Sequence, residues 1–158
     1  MSRIGIDIGR VIIGPQIGGR ADTRFLGSRL EDALHTPEAE GSFEVIADLV
    51  HRHGGQVWLI SKCGPNVQAK TRAWLDHHQF WRRTGMDPEH LRFCLRRPEK
   101  AEHARELGLH TMVDDRLDVL EHLRGLVPEL LLFGEQPAAP PGWVTHVPDW
   151  RAVARQLA

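Results

Sequence analysis

Four polar side chains stand where short apolar segments of the chain end. Asp7 follows the apolar residues IGI, and Ser61 closes the segment VWLIS. The acidic pair Asp114 and Asp115 follows TMV. A carboxylate at the end of an apolar strand can attack an electrophile or hold a cation. Three neighbouring acids repel one another unless a divalent cation neutralises them, and a set of oxygen ligands is typical of Mg²⁺.

A lysine completes this group of polar residues. Lys100 opens a predicted helix that leads to Asp114, so its ammonium group can reach both Asp7 and an anionic oxygen of a substrate. A nucleophile, a metal, a hydroxyl and a cation around one phosphoryl group indicate phosphoryl transfer. Lys62 and Lys70 compete with Lys100 for this role, and Lys100 is the favoured residue.

Each of these residues also has a structural interpretation. Asp7 lies close to a glycine, where aspartate often forms a turn. Ser61 is placed to cap the helix that follows it, and one member of the acidic pair is placed to cap the helix that begins near Arg116. Which of Asp114 and Asp115 binds a metal is therefore left open.

Apolar runs of strand length alternate with helical patterns along the chain. This alternation predicts an α/β fold, with a parallel sheet and helices on both faces. Ligands bind such sheets at the carboxyl ends of the strands, so the polar strand ends are expected to face one crevice. The predicted strands cover residues 4–8, 57–60, 91–95, 111–113 and 130–133, and the predicted helices cover about 43–53, 66–76, 98–108, 117–123 and 148–157.

The length of 158 residues predicts one domain over 1–158, because a single core is sufficient at this size. Within it, residues 14–40 are rich in glycine and polar residues and are only weakly periodic. This segment is predicted to be a flap with a short helix over the site.

Charge and composition disfavour several classes of function. Twenty basic and 21 acidic residues give a net charge of −1, so no strong nucleic-acid signal is present. No apolar run is long enough to span a membrane, and no secretory signal is apparent. The two cysteines and ten histidines do not have zinc-binding spacings. We expect a cytoplasmic protein whose partner is a small phosphorylated substrate, and the oligomeric state is left open.

The chain resembles the haloacid dehalogenase-like (HAD-like) hydrolase superfamily, whose four motifs appear in order between residues 3 and about 133. The segment IGIDIGRV is similar to the first motif, with Asp7 at the nucleophile position. Ser61 in VWLIS matches the second motif, and Lys100 in PEKAEHARELG matches the third. The acids of HTMVDDRLD match the fourth.

The resemblance implies a Rossmann-like three-layer sandwich with a minimal cap and a five-stranded sheet in the order 5-4-1-2-3. It also implies a Mg²⁺-dependent phosphohydrolase that acts on a phosphate monoester through an aspartyl-phosphate, with a nucleotide as the first substrate to try. The expected catalytic residues are Asp7, Ser61 and Lys100. The expected metal ligands are Asp7, the backbone carbonyl of Gly9, Asp114 and Asp115, and the expected substrate contacts are Gly9, Arg10, Ser61, Lys62 and Lys100.

The first motif departs from the superfamily pattern at Gly9. Most phosphatases of the superfamily have there a second aspartate, which protonates the leaving-group oxygen and later activates water. Losing a general acid–base group typically costs about 10²- to 10⁴-fold in rate. Three alternatives follow: slow hydrolysis or hydrolysis of esters with good leaving groups, chemistry that needs no leaving-group proton, such as halide release, or an inactive module that binds a phosphorylated ligand. The retained acidic pair favours phosphate over halide chemistry.

A pair of arginines is a further feature of interest. Arg96 and Arg97 lie just after a predicted strand end, where arginines can bind a phosphate with two parallel hydrogen bonds. Because 17 of the 20 basic residues are arginine, an arginine-rich surface is the alternative.

Overall fold

The computed structural model describes residues 2–14, 25 and 29–158. Its centre is a sheet of six strands in the order β3-β2-β1-β4-β5-β6, and every neighbouring pair is parallel. The strands are β1 (Ile4–Ile6), β2 (Val57–Lys62), β3 (Leu91–Cys94), β4 (Thr111–Asp114), β5 (Glu129–Phe133) and β6 (Thr145–Val147).

Helices connect most of the strands. A 3₁₀ turn, Pro88–His90, precedes β3. The helices are α1 (Leu30–Leu34), α2 (Ser42–Arg52), α3 (Pro65–His77), α4 (Phe80–Thr84), α5 (Glu99–Leu107), α6 (Leu117–Leu123) and α7 (Trp150–Gln156).

The two faces of the sheet bury separate apolar clusters, which gives three layers. Side chains alternate along each strand, so Val57 and Leu59 of β2 face one cluster whereas Trp58 and Ile60 face the other. The first cluster receives side chains of α2, α3, α4 and α7, and the second receives side chains of α5 and α6. Strands covered on both faces read as continuous apolar runs, which explains why the sequence pattern identified them.

The predicted α/β class and three-layer arrangement are confirmed, but the predicted number of strands is wrong. The five predicted strands lie in the predicted order, and a sixth, Thr145–Val147, pairs with β5 at the edge. This strand has three residues, of which only Val147 is buried. Its apolar pattern is therefore too short to indicate a strand.

Nearly half of the predicted flap over 14–40 lies outside the described residues, because 15–24 and 26–28 are not among them. Its described end, 29–40, contains the short helix α1. Among the described residues, no helix is both long enough and apolar enough to cross a membrane.

A buried tryptophan fixes the loop that follows β1. The indole Nε1 of Trp150, at the start of α7, donates a hydrogen bond to the carbonyl oxygen of Val11 over 2.7 Å. Both residues are at most 1% exposed. Because a buried carbonyl without a partner is costly, this contact holds the loop next to Asp7 against the terminal helix.

We expect Trp150→Phe to lower the free energy of unfolding by about 2 kcal/mol, since it leaves the Val11 carbonyl unsatisfied and opens a small cavity. Urea denaturation measures this change. Trp143→Phe is the matched control: Trp143 is half-buried and contacts the guanidinium of Arg124, and we expect a loss under about 1 kcal/mol. Equal losses in the two variants would contradict the role assigned to the hydrogen bond.

Candidate active site

The carboxyl ends of three neighbouring strands bring the candidate residues together. Asp7 directly follows β1, and its backbone N–H donates to the carbonyl of Val113 in β4 over 2.9 Å. Ser61 lies near the end of β2, and Asp114 is the last residue of β4. Because β1 pairs with both β2 and β4, all three side chains reach the same edge of the sheet.

Lys100 lies between two of the carboxylates. Its Nζ donates to Oδ1 of Asp7 over 3.0 Å and to Oδ2 of Asp114 over 2.8 Å. The side chain is only 3% exposed. Burial disfavours the charged amine, but the charges of Asp114 and Asp7 outweigh it and raise the pKa of Lys100. The lysine is therefore a permanent cation at neutral pH.

Three carboxylates form one cluster at this edge. Asp7, Asp114 and Asp115 each offer an oxygen atom, and these atoms lie within 4.8 Å of one another. Burial raises the pKa of both Asp114 and Asp115, and the charge of Asp7 raises it further. Lys100 opposes the shift at Asp114 and Arg10 opposes it at Asp115. The protein's own cations thus leave the cluster short of positive charge.

The cluster fits a hard divalent cation. All its donors are carboxylate oxygens, and the raised pKa values show that the acids resist being ionised together without additional positive charge. Asp7, Asp114 and Asp115 would hold Mg²⁺. Gly9 lines the same cavity, and the role of its carbonyl as a further ligand stays a prediction.

A cavity of about 340 Å³ opens beside the cluster. Asp7, Gly9, Ser61, Lys62 and Lys100 all line it. This volume accommodates a phosphoryl group and part of the molecule that carries it.

Arg10 occupies a different place from the other predicted substrate contacts. Its Nη1 lies 3.2 Å from Oδ2 of Asp115. Arg10 is not among the described residues that line the cavity. Its observed contact is with the acidic cluster, and its contact with a substrate stays a prediction.

The structure decides between several alternatives that the sequence left open. Gly64, not Ser61, occupies the N-cap position of α3, so the capping interpretation of Ser61 is wrong. Asp114 both contacts Lys100 and accepts the backbone N–H of Arg116 over 3.0 Å. Of the three lysines, Lys100 is the one buried against Asp7, whereas Lys62 is exposed at the cavity.

The thiols near the site are poor nucleophiles. Cys63 lines the cavity, and its Sγ lies 3.9 Å from the Ser61 hydroxyl. Burial raises the pKa of Cys63, and it raises the pKa of Cys94 to about 11. Both thiols are therefore protonated at neutral pH, which leaves the Asp7 carboxylate as the better candidate nucleophile.

Two arginines that sequence reasoning did not assign to the site also line the cavity. Arg97 precedes α5, and Arg116 directly follows the acidic pair. The sequence indicated Arg97 as a candidate anion-binding residue only through its position after a strand end. Nothing in the sequence separated Arg116 from the other surface arginines.

The fold is shared with solved structures of hydrolases. A haloacid dehalogenase-like family hydrolase from Xanthomonas campestris superposes with a TM-score of 0.63 at 12% identity, covering 99% of this chain and 94% of that one. A HAD-superfamily hydrolase from Ehrlichia chaffeensis superposes with a TM-score of 0.62 at 10% identity, covering 99% and 97%. No protein-family model and no curated protein matches the sequence. The predicted resemblance is confirmed in the fold: the chain has the α/β fold of HAD-like hydrolases.

We expect Mg²⁺ to raise the melting temperature of the protein, because it binds a cluster that exists only in the folded state. Asp115→Asn should weaken Mg²⁺ binding at least tenfold in calorimetry, since it removes one charged ligand. Asp118→Asn is the control, because Asp118 is a nearby acid outside the cluster. Undiminished Mg²⁺ binding by Asp115→Asn would refute the assignment of this residue as a ligand.

Proposed function

We propose that the protein is a Mg²⁺-dependent phosphohydrolase that acts on a phosphate monoester through an aspartyl-phosphate intermediate. The observation that carries this proposal is the position of Asp7, which lines one cavity with Lys100, Ser61 and Asp115 and clusters with Asp114 and Asp115. The hydrolase names of the structural neighbours agree with it.

The residues supply the parts of a two-step displacement. A carboxylate oxygen of Asp7 attacks phosphorus, the bond from phosphorus to the leaving-group oxygen breaks, and an aspartyl-phosphate forms. Lys100 and the Ser61 hydroxyl hold the phosphoryl oxygens. Water then attacks the phosphorus and releases inorganic phosphate, which regenerates Asp7. Bound Mg²⁺ would neutralise the carboxylates and stabilise negative charge on the transferred group.

Gly9 limits which substrates react quickly. It lines the cavity two residues after Asp7, but it has no side chain that could donate a proton. The leaving-group oxygen must therefore depart as an anion or take its proton from water. We infer that esters of acidic alcohols, such as phenols, react much faster than esters of simple alcohols.

Gly9 also favours a second candidate function. A protein without the general acid can retain the cavity and the cation cluster as a module that binds a phosphorylated ligand or partner without turning it over. Tight binding without turnover distinguishes this module from the enzyme.

We expect the protein to release p-nitrophenol from p-nitrophenyl phosphate only when Mg²⁺ is present. Asp7→Asn should reduce this rate at least about 10³-fold, because the amide cannot attack phosphorus. Release is followed by absorbance, and EDTA should abolish it. Tight phosphate binding without turnover by the natural protein would reject the enzyme and support the binding module.

We expect Gly9→Asp to accelerate hydrolysis of an alkyl phosphate at least tenfold, with less effect on p-nitrophenyl phosphate. The reason is that only the poor leaving group needs a proton in the transition state. Initial rates on the two substrates give the ratio. Gly142→Ala, at a distant exposed glycine with open space around it, is the control and should leave the ratio unchanged. Equal acceleration of both substrates would contradict a missing general acid.

A further inference from the structure

Two guanidinium groups lie at the same cavity as the candidate nucleophile. Arg97 comes from the segment before α5, and Arg116 comes from the segment between β4 and α6. Two cations therefore line one cavity. Arg97 precedes Lys100 in the sequence, and Arg116 follows the acidic pair. Their side chains are 36% and 35% exposed, so they are accessible to a ligand.

Asp118 holds the two arginines together. Its Oδ2 lies 3.3 Å from Nη1 of Arg97, and its Oδ1 lies 3.3 Å from Nε of Arg116. Burial raises the pKa of Asp118, but the hydrogen bond from Arg116 and the charges of both arginines outweigh it and lower this pKa. The carboxylate stays ionised, which preserves the arrangement of the three side chains near neutral pH.

Much of the hydrogen-bonding capacity of the two arginines remains available. Each guanidinium has five N–H donors, and Asp118 contacts one nitrogen atom of each. Within the described part of the chain, the buried Nε of Arg97 has no hydrogen-bond partner. The exposed N–H groups of the two side chains, which are 36% and 35% exposed, can donate to a ligand in the cavity.

The cations deeper in the site are already paired with carboxylates. Lys100 contacts Asp7 and Asp114, and Arg10 contacts Asp115. One carboxylate, Asp118, faces the two guanidinium groups of Arg97 and Arg116, so this pair retains one positive charge. The excess of positive charge in this part of the cavity suits an anion other than the phosphoryl group held by Lys100.

We infer that Arg97 and Arg116 form a second anion subsite, which binds a phosphate or carboxylate carried by the substrate in addition to the phosphoryl group that is transferred. This inference rests on the proposed function, and it narrows the substrate class to phosphate monoesters that bear a second anionic group. Guanidinium groups bind both anions through pairs of parallel hydrogen bonds.

Binding at this subsite would offset part of the rate that is lost because Gly9 provides no general acid. Contacts to a remote part of a substrate hold its reacting group in place and reduce the entropy lost in the transition state. A second anionic group held by Arg97 and Arg116 would orient the ester bond in line with Asp7. We therefore expect this group to contribute to kcat/KM although it takes no part in bond breaking.

Matched aryl phosphates test the subsite. The leaving groups of 4-(carboxymethyl)phenyl phosphate and its methyl ester have nearly the same acidity. Only the acid carries a second anionic group, the carboxylate, in addition to its phosphate. We expect the wild-type protein to prefer the acid, and we expect Arg97→Gln or Arg116→Gln to lower the acid-to-ester ratio of kcat/KM about tenfold. Arg97→Lys keeps the charge and should restore part of the preference.

Arg96→Gln is the matched control. Arg96 is adjacent to Arg97, but its side chain is 81% exposed and faces Glu99 instead of the cavity. It should leave the ratio unchanged. A third substrate, 1,4-phenylene bisphosphate, shows which anion the subsite binds. If only the bisphosphate is preferred over the methyl ester, the subsite binds phosphate. If only the carboxylic acid is preferred, it binds carboxylate.

Calorimetry with Asp7→Asn separates the subsite from the proposed function. This variant should bind the intact acid about tenfold more tightly than the ester even if the wild-type protein turns neither over, and Arg97→Gln in the same background should remove that difference. The inference is overturned if the acid and the bisphosphate show no preference over the ester, or if Arg96→Gln lowers the preference as much as Arg97→Gln. Circular dichroism confirms that each variant is folded.

Discussion

The contact of one buried ammonium group with two buried carboxylates is the constraint on which the candidate site depends. Lys100 bridges Asp7 and Asp114, and none of the three side chains is more than 10% exposed. Removing one partner from such a group typically costs about 3–5 kcal/mol, because a buried charge is left uncompensated. Strands β1 and β4 and helix α5 must therefore keep their relative positions, although Asp7 and Lys100 are 93 residues apart in sequence.

The same group defines what the site lacks. Lys100 and Arg10 face three clustered carboxylates, and burial, together with the charge of Asp7, raises the pKa of Asp114 and of Asp115. Under the proposed function, a divalent cation and an anionic substrate would complete this balance together. Gly9 supplies no proton to the leaving group, so the cavity supports charge stabilisation and positioning better than general acid catalysis.

Prediction from sequence succeeded where a residue's position follows from its own segment. Asp7, Ser61 and Asp114 each end a buried apolar run, and the carboxyl ends of parallel strands meet at one edge. It failed for β6, which has three residues and pairs at the sheet's edge. It did not find the contact of Arg10 with Asp115 either, because no local pattern specifies a partner 105 residues away.

The sequence by itself indicated the layers of the fold and the residue types at the strand ends, because apolar periodicity and short motifs are local properties. The order of the first five strands followed from the resemblance that those motifs carry. Only the tertiary structure decided that Lys100, and not Lys62 or Lys70, contacts Asp7. The tertiary structure also showed that Arg97 lines the cavity with Arg116, whereas the adjacent Arg96 does not. An arginine's exposure and neighbours depend on how distant segments pack, and seventeen similar side chains in the sequence carry no such information.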